Sequence, residues 1–183
     1  MPFHPTPLAG LWIFEPCVFE DERGYFFESF NQRLFAEHLG QEIVFVQDNQ
    51  SKSTYGVIRG LHFQRGQYAQ AKLVRVLSGR VLDVALDIRP DSPTFGQHFA
   101  IELSAENRLQ VFIPRGFAHG FAVLSPTAEF FYKCDNFYAP QHEGGIYYAD
   151  PQLKINWKIP LQDQIVSIKD KQQPLFASII NQL

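Results

Sequence analysis

Between Lys72 and Arg89 the chain reads KLVRVLSGRVLDVALDIR, and this stretch constrains the fold more than any other. Leu82, Val84, Leu86 and Ile88 alternate with Asp83, Asp87 and Arg89. That period of two belongs to a strand burying one face, and it is incompatible with the 3.6-residue period of a helix. Ser78-Gly79 between the two halves predicts a hairpin turn, glycine supplying the positive φ that such turns use. Shorter runs of the same kind recur at Leu11–Val18, Tyr25–Phe30, Ile43–Gln50, Val57–Gln64, Phe95–Leu103, Leu109–Ile113, Gly120–Leu124 and Glu129–Cys134. Breakers such as Asp21-Glu22-Arg23-Gly24, Pro90-Asp91-Ser92-Pro93 and Ser104-Ala105-Glu106-Asn107 separate them. Aromatic residues make up 15%, 18 of them Phe, beside 12 Gly and 12 Pro. Many short strands joined by tight turns follow, and a sandwich or barrel is the predicted architecture. Helical signal is confined to two places. Asn31–Leu39 has Asn31 as N-cap and Gly40 just past its end, and Pro174–Gln182 has its proline near the first turn.

The 183 residues predict one domain over 1–183. With 45% apolar and 19% charged residues, a disordered chain is excluded. Sixteen Lys and Arg against 19 Asp and Glu give a net charge of −3, the wrong balance for coating a phosphate backbone, so no nucleic-acid partner is expected. No apolar run approaches the roughly 18 residues of a membrane span, and Met1 to Leu11 has no basic region ahead of an apolar one. Only Cys17 and Cys134 are present, which suits a reducing cytoplasm better than a disulfide scaffold.

Among chemical motifs, GxGxxG, the P-loop, GxSxG and HExxH are all absent. A two-part pattern is present. Its first part is Gly56-Val-Ile-Arg-Gly-Leu-His62-Phe-Gln64, followed by Lys72 and Gly79; its second is Pro114-Arg-Gly-Phe-Ala-His119. This resembles the paired motifs of the cupin superfamily of small β-barrels, whose metal-binding members carry G-x5-H-x-H, a Glu and P-x-G-x2-H. Here Gln64 stands at the second His position, and Lys72, farther along than the usual spacing, is the best candidate for the Glu position. A cationic Lys cannot ligate a cation and Gln is a poor transition-metal ligand, so neither metal nor cofactor is expected. Lys beside His is instead the equipment for removing a proton next to a carbonyl: His takes the proton, and Lys steadies the charge arriving on oxygen. Strand parity turns Lys72 to the same side as Val74 and Val76.

A closer resemblance runs in order through nearly the whole chain. Asp21-Glu-Arg-Gly-Tyr-Phe-Phe-Glu28, Phe45-Val-Gln-Asp-Asn49, Arg59-Gly-Leu-His-Phe-Gln64, Ala69-Gln-Ala-Lys-Leu-Val-Arg75, Ile113-Pro-Arg-Gly-Phe-Ala-His-Gly120, Glu129-Phe-Phe-Tyr-Lys133 and Ser167-Ile-Lys-Asp170 carry it. They resemble the dTDP-4-dehydrorhamnose 3,5-epimerases of the rhamnose pathway. The resemblance implies a mainly β, cupin-type jelly-roll barrel with a few short peripheral helices. It also implies a substrate, a dTDP-linked 4-keto-6-deoxy sugar inverted at C3 and C5, the two carbons flanking its C4 ketone. By that correspondence His62 is the base, Asp170 holds its other ring nitrogen, Lys72 faces the C4 oxygen and Tyr132 is the acid on the opposite face. Arg23, Arg59 and Lys169 correspond to phosphate or nucleotide contacts, and Tyr138 to the residue that stacks on thymine. Phe26, Glu28, Gln47, Asp48, Asn49, His119 and Glu143 correspond to further substrate contacts. The family's homodimers imply that a neighbouring subunit supplies some of these.

Departures occur at Tyr147-Tyr148-Ala149 and Trp157-Lys158, where the family more often has Trp-Asn and Trp-Pro; neither touches the proposed chemistry. An isolated histidine in a β-rich chain is ordinarily structural, and His4, His38, His98 and His142 are assigned no role. Lys169-Asp170, judged by spacing alone, reads equally as a surface pair. Three alternatives stay open: inversion at one carbon only, a metal-dependent cupin oxygenase or isomerase, and a noncatalytic barrel that binds a nucleotide sugar.

Overall fold

A computed structural model describes residues 3–182. Its strands, in chain order, begin with β1 (Phe3–Pro5), β2 (Trp12–Phe14), β3 (Val18–Asp21), β4 (Gly24–Phe27), β5 (Gln47–Thr54), β6 (Val57–Gln64) and β7 (Lys72–Ser78). They continue with β8 (Arg80–Asp87), β9 (His98–Ser104), β10 (Gln110–Ile113), β11 (Phe117–Val123), β12 (Thr127–Cys134), β13 (Glu143–Gly145) and β14 (Ile165–Val166). Three short helices, α1 (Gln32–Leu39), α2 (Ile168–Lys171) and α3 (Phe176–Ile179), lie outside the strands. One sheet has the order β1-β2-β10-β7-β12-β5 and the other β13-β6-β11-β8-β9, with β14 added to β6; β3 and β4 pair only with each other. The fold is mainly β, as expected. Its two sheets face one another without a strand pairing between them among the described residues, so the jelly roll is an open sandwich and not a closed barrel.

Alternation divides each central strand between two cores. Val74 and Val76 of β7, Phe130 of β12, Val81 and Ala85 of β8 and Phe121 of β11 meet between the sheets. Leu82, Val84 and Leu86 of β8 point the other way, under a layer that includes Tyr148, Trp157, Phe176 and Ile179. Leu73 and Phe112 likewise pack outward with Phe35 of α1. Fully burying each such side chain contributes roughly 1.5–3 kcal/mol. The face of β8 read as polar is therefore not a solvated one. Asp83 and Asp87 are almost completely buried, Asp83 against His119 and Asp87 beneath Arg89, Ser92 and Thr94.

Three expectations are corrected. Ser78-Gly79 is not a hairpin: β7 pairs with β10 and β12, β8 with β9 and β11, so this glycine carries the chain from one sheet to the other. Its φ of +78° is as predicted, and a Cβ there would sit 2.1 Å from the Thr127 carbonyl oxygen. The Leu11–Val18 run holds the whole of β2 and only the first residue of β3, with Pro16 lying between them. Pro174–Gln182 is helical from Phe176 onward, α3 running on into a 3-10 turn over Ile180–Gln182, and Pro174 lies outside it. The other helix forms where expected: the Asn31 side chain accepts from Leu34 N at 3.3 Å, and Gly40 ends it at φ 67°.

Candidate active site

A bulge in β6 sets the chemistry. Pairing with β11 runs Ile58↔Ala122 and Arg59↔Phe121, then slips by one residue to His62↔His119. The extra residue reverses the alternation, so Arg59 before it and His62 after it both face the space between the sheets. Gly60 permits this close approach: its φ is +124°, and a Cβ would lie 2.6 Å from Gly120 Cα. Arg59 is steadied by β5, its Nε donating to Ser53 Oγ at 3.2 Å.

The cavity so framed has a volume of about 670 Å³. His62 and His119 enter from one sheet, Lys72 and Tyr132 from the other, with Asn49 and Arg59 alongside. After β14 extends the edge of β6, Ser167 caps α2, accepting from Asp170 N at 3.0 Å. That turn drives Asp170 inward, to 4% exposure, so the surface-pair reading of Lys169-Asp170 fails for the carboxylate. His62 Nε2 donates to Asp170 Oδ1 at 2.6 Å, and Gly60 N to Oδ2 at 3.4 Å. Burial alone would raise the Asp170 pKa, but these bonds, the His62 charge and the Ser167 cap outweigh it and hold the carboxylate below its ordinary range. With its proton on Nε2, a neutral His62 leaves the Nδ1 lone pair free to act as a base.

Lys72 Nζ lies 5.8 Å from the Tyr132 ring centroid. Burial lowers its ammonium below the ordinary lysine value, and the through-space influence of Cys134, Asp83 and Glu143 opposes that without reversing it. Burial raises the Tyr132 phenol, which therefore keeps its proton. Asp83 is the member that sequence reasoning missed. His119 Nε2 donates to its Oδ2 at 2.7 Å, a second imidazole–carboxylate pair beside the first, both partners buried. A carboxylate amid the apolar alternation of β8 was the available signal.

The remaining predicted residues divide. Lys169 reaches the cavity rim, where its Nζ donates to Glu143 Oε2 at 2.7 Å; the Tyr138 hydroxyl donates to the same oxygen at 2.9 Å. Gln47 and Tyr138 line a smaller hollow next to Asn49 and Tyr132. Asp48 faces the other side of β5, bonded to Lys133 Nζ at 2.9 Å, and the structure does not bring it to the cavity. Arg23, Phe26 and Glu28 also lie elsewhere, exposed on or beside the β3–β4 hairpin, with Arg23 held by Asp21. Among the described residues no three His, Cys, Asp or Glu side chains cluster as metal ligands, and Gln64 is committed to backbone partners.

A carboxylate-held imidazole, an ammonium and a phenol around one cavity of a two-sheet β protein are groups able to move protons, the chemistry an isomerase needs. The sequence profile of the family described as dTDP-4-dehydrorhamnose 3,5-epimerase matches residues 5–178, and the chain belongs to that family. The dTDP-4-dehydrorhamnose 3,5-epimerase of Pseudomonas aeruginosa is 58% identical over 166 residues, 90% of each chain. The crystal structure of the Elizabethkingia anophelis dTDP-4-dehydrorhamnose 3,5-epimerase superposes with a TM-score of 0.95 at 57% identity, covering 97% of each chain. The Legionella pneumophila dTDP-6-deoxy-D-glucose-3,5-epimerase, solved in complex with dTDP-4-keto-L-rhamnose, gives a TM-score of 0.91 at 49% identity. There the match covers 98% of this chain and 93% of that one.

Proposed function

We propose that this cavity inverts C3 and C5 of dTDP-4-dehydro-6-deoxy-D-glucose, on the route to dTDP-L-rhamnose. One observation carries the reading: the base and the acid stand on opposite sheets, facing the same cavity. A sugar ring between them loses a proton from one face and regains it on the other, which is inversion. His62 takes the proton from the carbon beside the ketone, and Asp170 stabilises the imidazolium formed. Lys72 steadies the negative charge that gathers on the C4 oxygen. Tyr132 returns a proton from the far side. Because both carbons flank the same ketone, one enolate-stabilising group serves both. Arg59 and Lys169 offer charge to the diphosphate, and Tyr138 offers a ring to the nucleobase. Each step uses side chains of this chain.

The reading includes a homodimer in the cytoplasm. Phe19 and Phe26 on the β3–β4 hairpin are 64% and 70% exposed, beside Arg23 and away from their own cavity. A second copy accepting this hairpin would cover both rings and bring the family-matched Arg23 and Phe26 to a site. Both thiols are free, which fits a reducing compartment. Among the described residues no helix is long and apolar enough to cross a membrane.

Incubation with the keto-sugar nucleotide in D2O tests the function. The expected result is solvent deuterium at C3 and C5 with both centres inverted. Label at C3 alone would reduce the activity to a single inversion, and label at neither carbon would overturn the reading. In the same experiment Tyr132→Phe is expected to keep wash-out of the α-proton while net inversion falls by about 10²-fold. Normal inversion by that variant would remove Tyr132 from the acid role.

A further inference from the structure

Tyr138 poses a physical problem. Its ring is half exposed, yet a stacking surface helps a ligand most when its position is settled before the ligand arrives. Ordering backbone costs conformational entropy, and an unrestrained loop would set that cost against binding. Residues 137–139 are not unrestrained. Gln64, buried on β6 two residues beyond His62, receives Ala139 N on its Oε1 at 2.6 Å. Its Nε2 donates to Phe137 O at 3.2 Å and to Tyr68 O at 2.8 Å. From the opposing sheet, Gln47 Oε1 accepts from Tyr138 N at 3.1 Å, and Gln47 Nε2 is itself fixed by Asn49 Oδ1 at 2.9 Å. Two amide side chains thus clip this backbone, Gln64 at the residues flanking Tyr138 and Gln47 at Tyr138 itself, one from each sheet.

We propose that Gln64 is a positioning residue for nucleotide binding, fixing the Tyr138 ring at a set distance from the base His62 by joining residues 137–139 to the strand that carries it. The inference rests on the reading above that Tyr138 supports the nucleobase. Gln64 touches neither the reacting carbons nor the proton path. Its loss therefore acts on affinity and leaves the chemical step alone. Gln47, assigned by resemblance to substrate contact, spends its side-chain oxygen and amide on the same clip.

The test is a double-mutant cycle on dTDP affinity, measured by calorimetry, with steady-state kinetics on the keto-sugar nucleotide. Tyr138→Ala is expected to weaken dTDP binding about tenfold, the scale of one base–aromatic stack. Gln64→Met keeps the side-chain length and removes the bonds. It should weaken binding by about the same factor and raise KM, with kcat within about twofold of the parent. The double variant should bind no more weakly than Tyr138→Ala within about twofold, because the clip acts only through the ring. Gln64→Glu keeps an acceptor for Ala139 N but sets a second oxygen against two carbonyls. It replaces the methionine variant if that one does not fold, and is held to the same outcomes. If Tyr138→Ala weakens binding and the Gln64 variant does not, the proposal falls and the nucleobase reading stands. Fully additive penalties, or a loss confined to kcat, would also overturn the proposal. Unchanged affinity in Tyr138→Ala would end both.

Discussion

His62→Asn is expected to slow deuterium incorporation at both C3 and C5 by about 10³-fold while dTDP affinity stays within about threefold. Loss of a positioned general base commonly removes a factor of about 10²–10⁴. Asparagine matches the imidazole only as far as Nδ1, so Asp170 Oδ1 loses its partner while Oδ2 keeps Gly60 N, and the variant is expected to fold at some cost in stability. Loss at both carbons together is the diagnostic feature, because one imidazole serves both. Asp170→Asn should follow with a smaller loss, of about 10²-fold, since an amide neither selects the Nε2-protonated tautomer nor steadies the imidazolium. Solvent exchange persisting in His62→Asn would transfer the base role, and His119, already paired with Asp83, is the first place to look.

The strands were legible because a sheet leaves its period in the sequence, and α1 was legible because both its caps are local. What one strand does to another was not. Whether Ser78-Gly79 closes a hairpin or crosses between sheets depends on pairing with β10, β11 and β12, far along the chain, and both outcomes use the same positive-φ glycine. The polar face of β8 was misread for a related reason: Asp83 and Asp87 look like solvent-facing residues until their hydrogen-bonding partners arrive from β11 and the loop after β8. The site shows the same division. His62, Lys72, Tyr132 and Asp170 were reached through family resemblance, whereas plain alternation would have set Arg59 and His62 on opposite faces. Only the bulge at Gly60 reconciles them. Arg23, Phe26 and Glu28 mark the boundary of what one chain can show, since the hairpin that carries them does not reach its own cavity.

Lys72→Met is expected to lower kcat by about 10²–10³-fold, the scale lost when one preorganised group facing a developing oxyanion is removed. Unfolding is not the expected cause. A buried ammonium whose pKa lies below its ordinary value binds its proton less readily in the folded than in the unfolded chain, so at neutral pH its charge opposes folding. Methionine, of similar length and uncharged, should leave Tm unchanged or higher. The same shift sets the pH dependence. As pH rises, Lys72 loses its proton earlier than an exposed lysine, whose value is about 10.4. Tyr132 is displaced the other way, its phenol held protonated by burial. Both displacements favour Lys72 over Tyr132 as the group behind an alkaline fall in kcat of the parent enzyme. Two measurements bear on this: the kcat–pH profile of the parent between neutrality and pH ~10, and that of Lys72→Met, whose residual rate should lack the early limb. A limb that survives in Lys72→Met belongs to another group, and a variant that keeps kcat within a few-fold would mean that the enolate oxygen is held by something other than this ammonium.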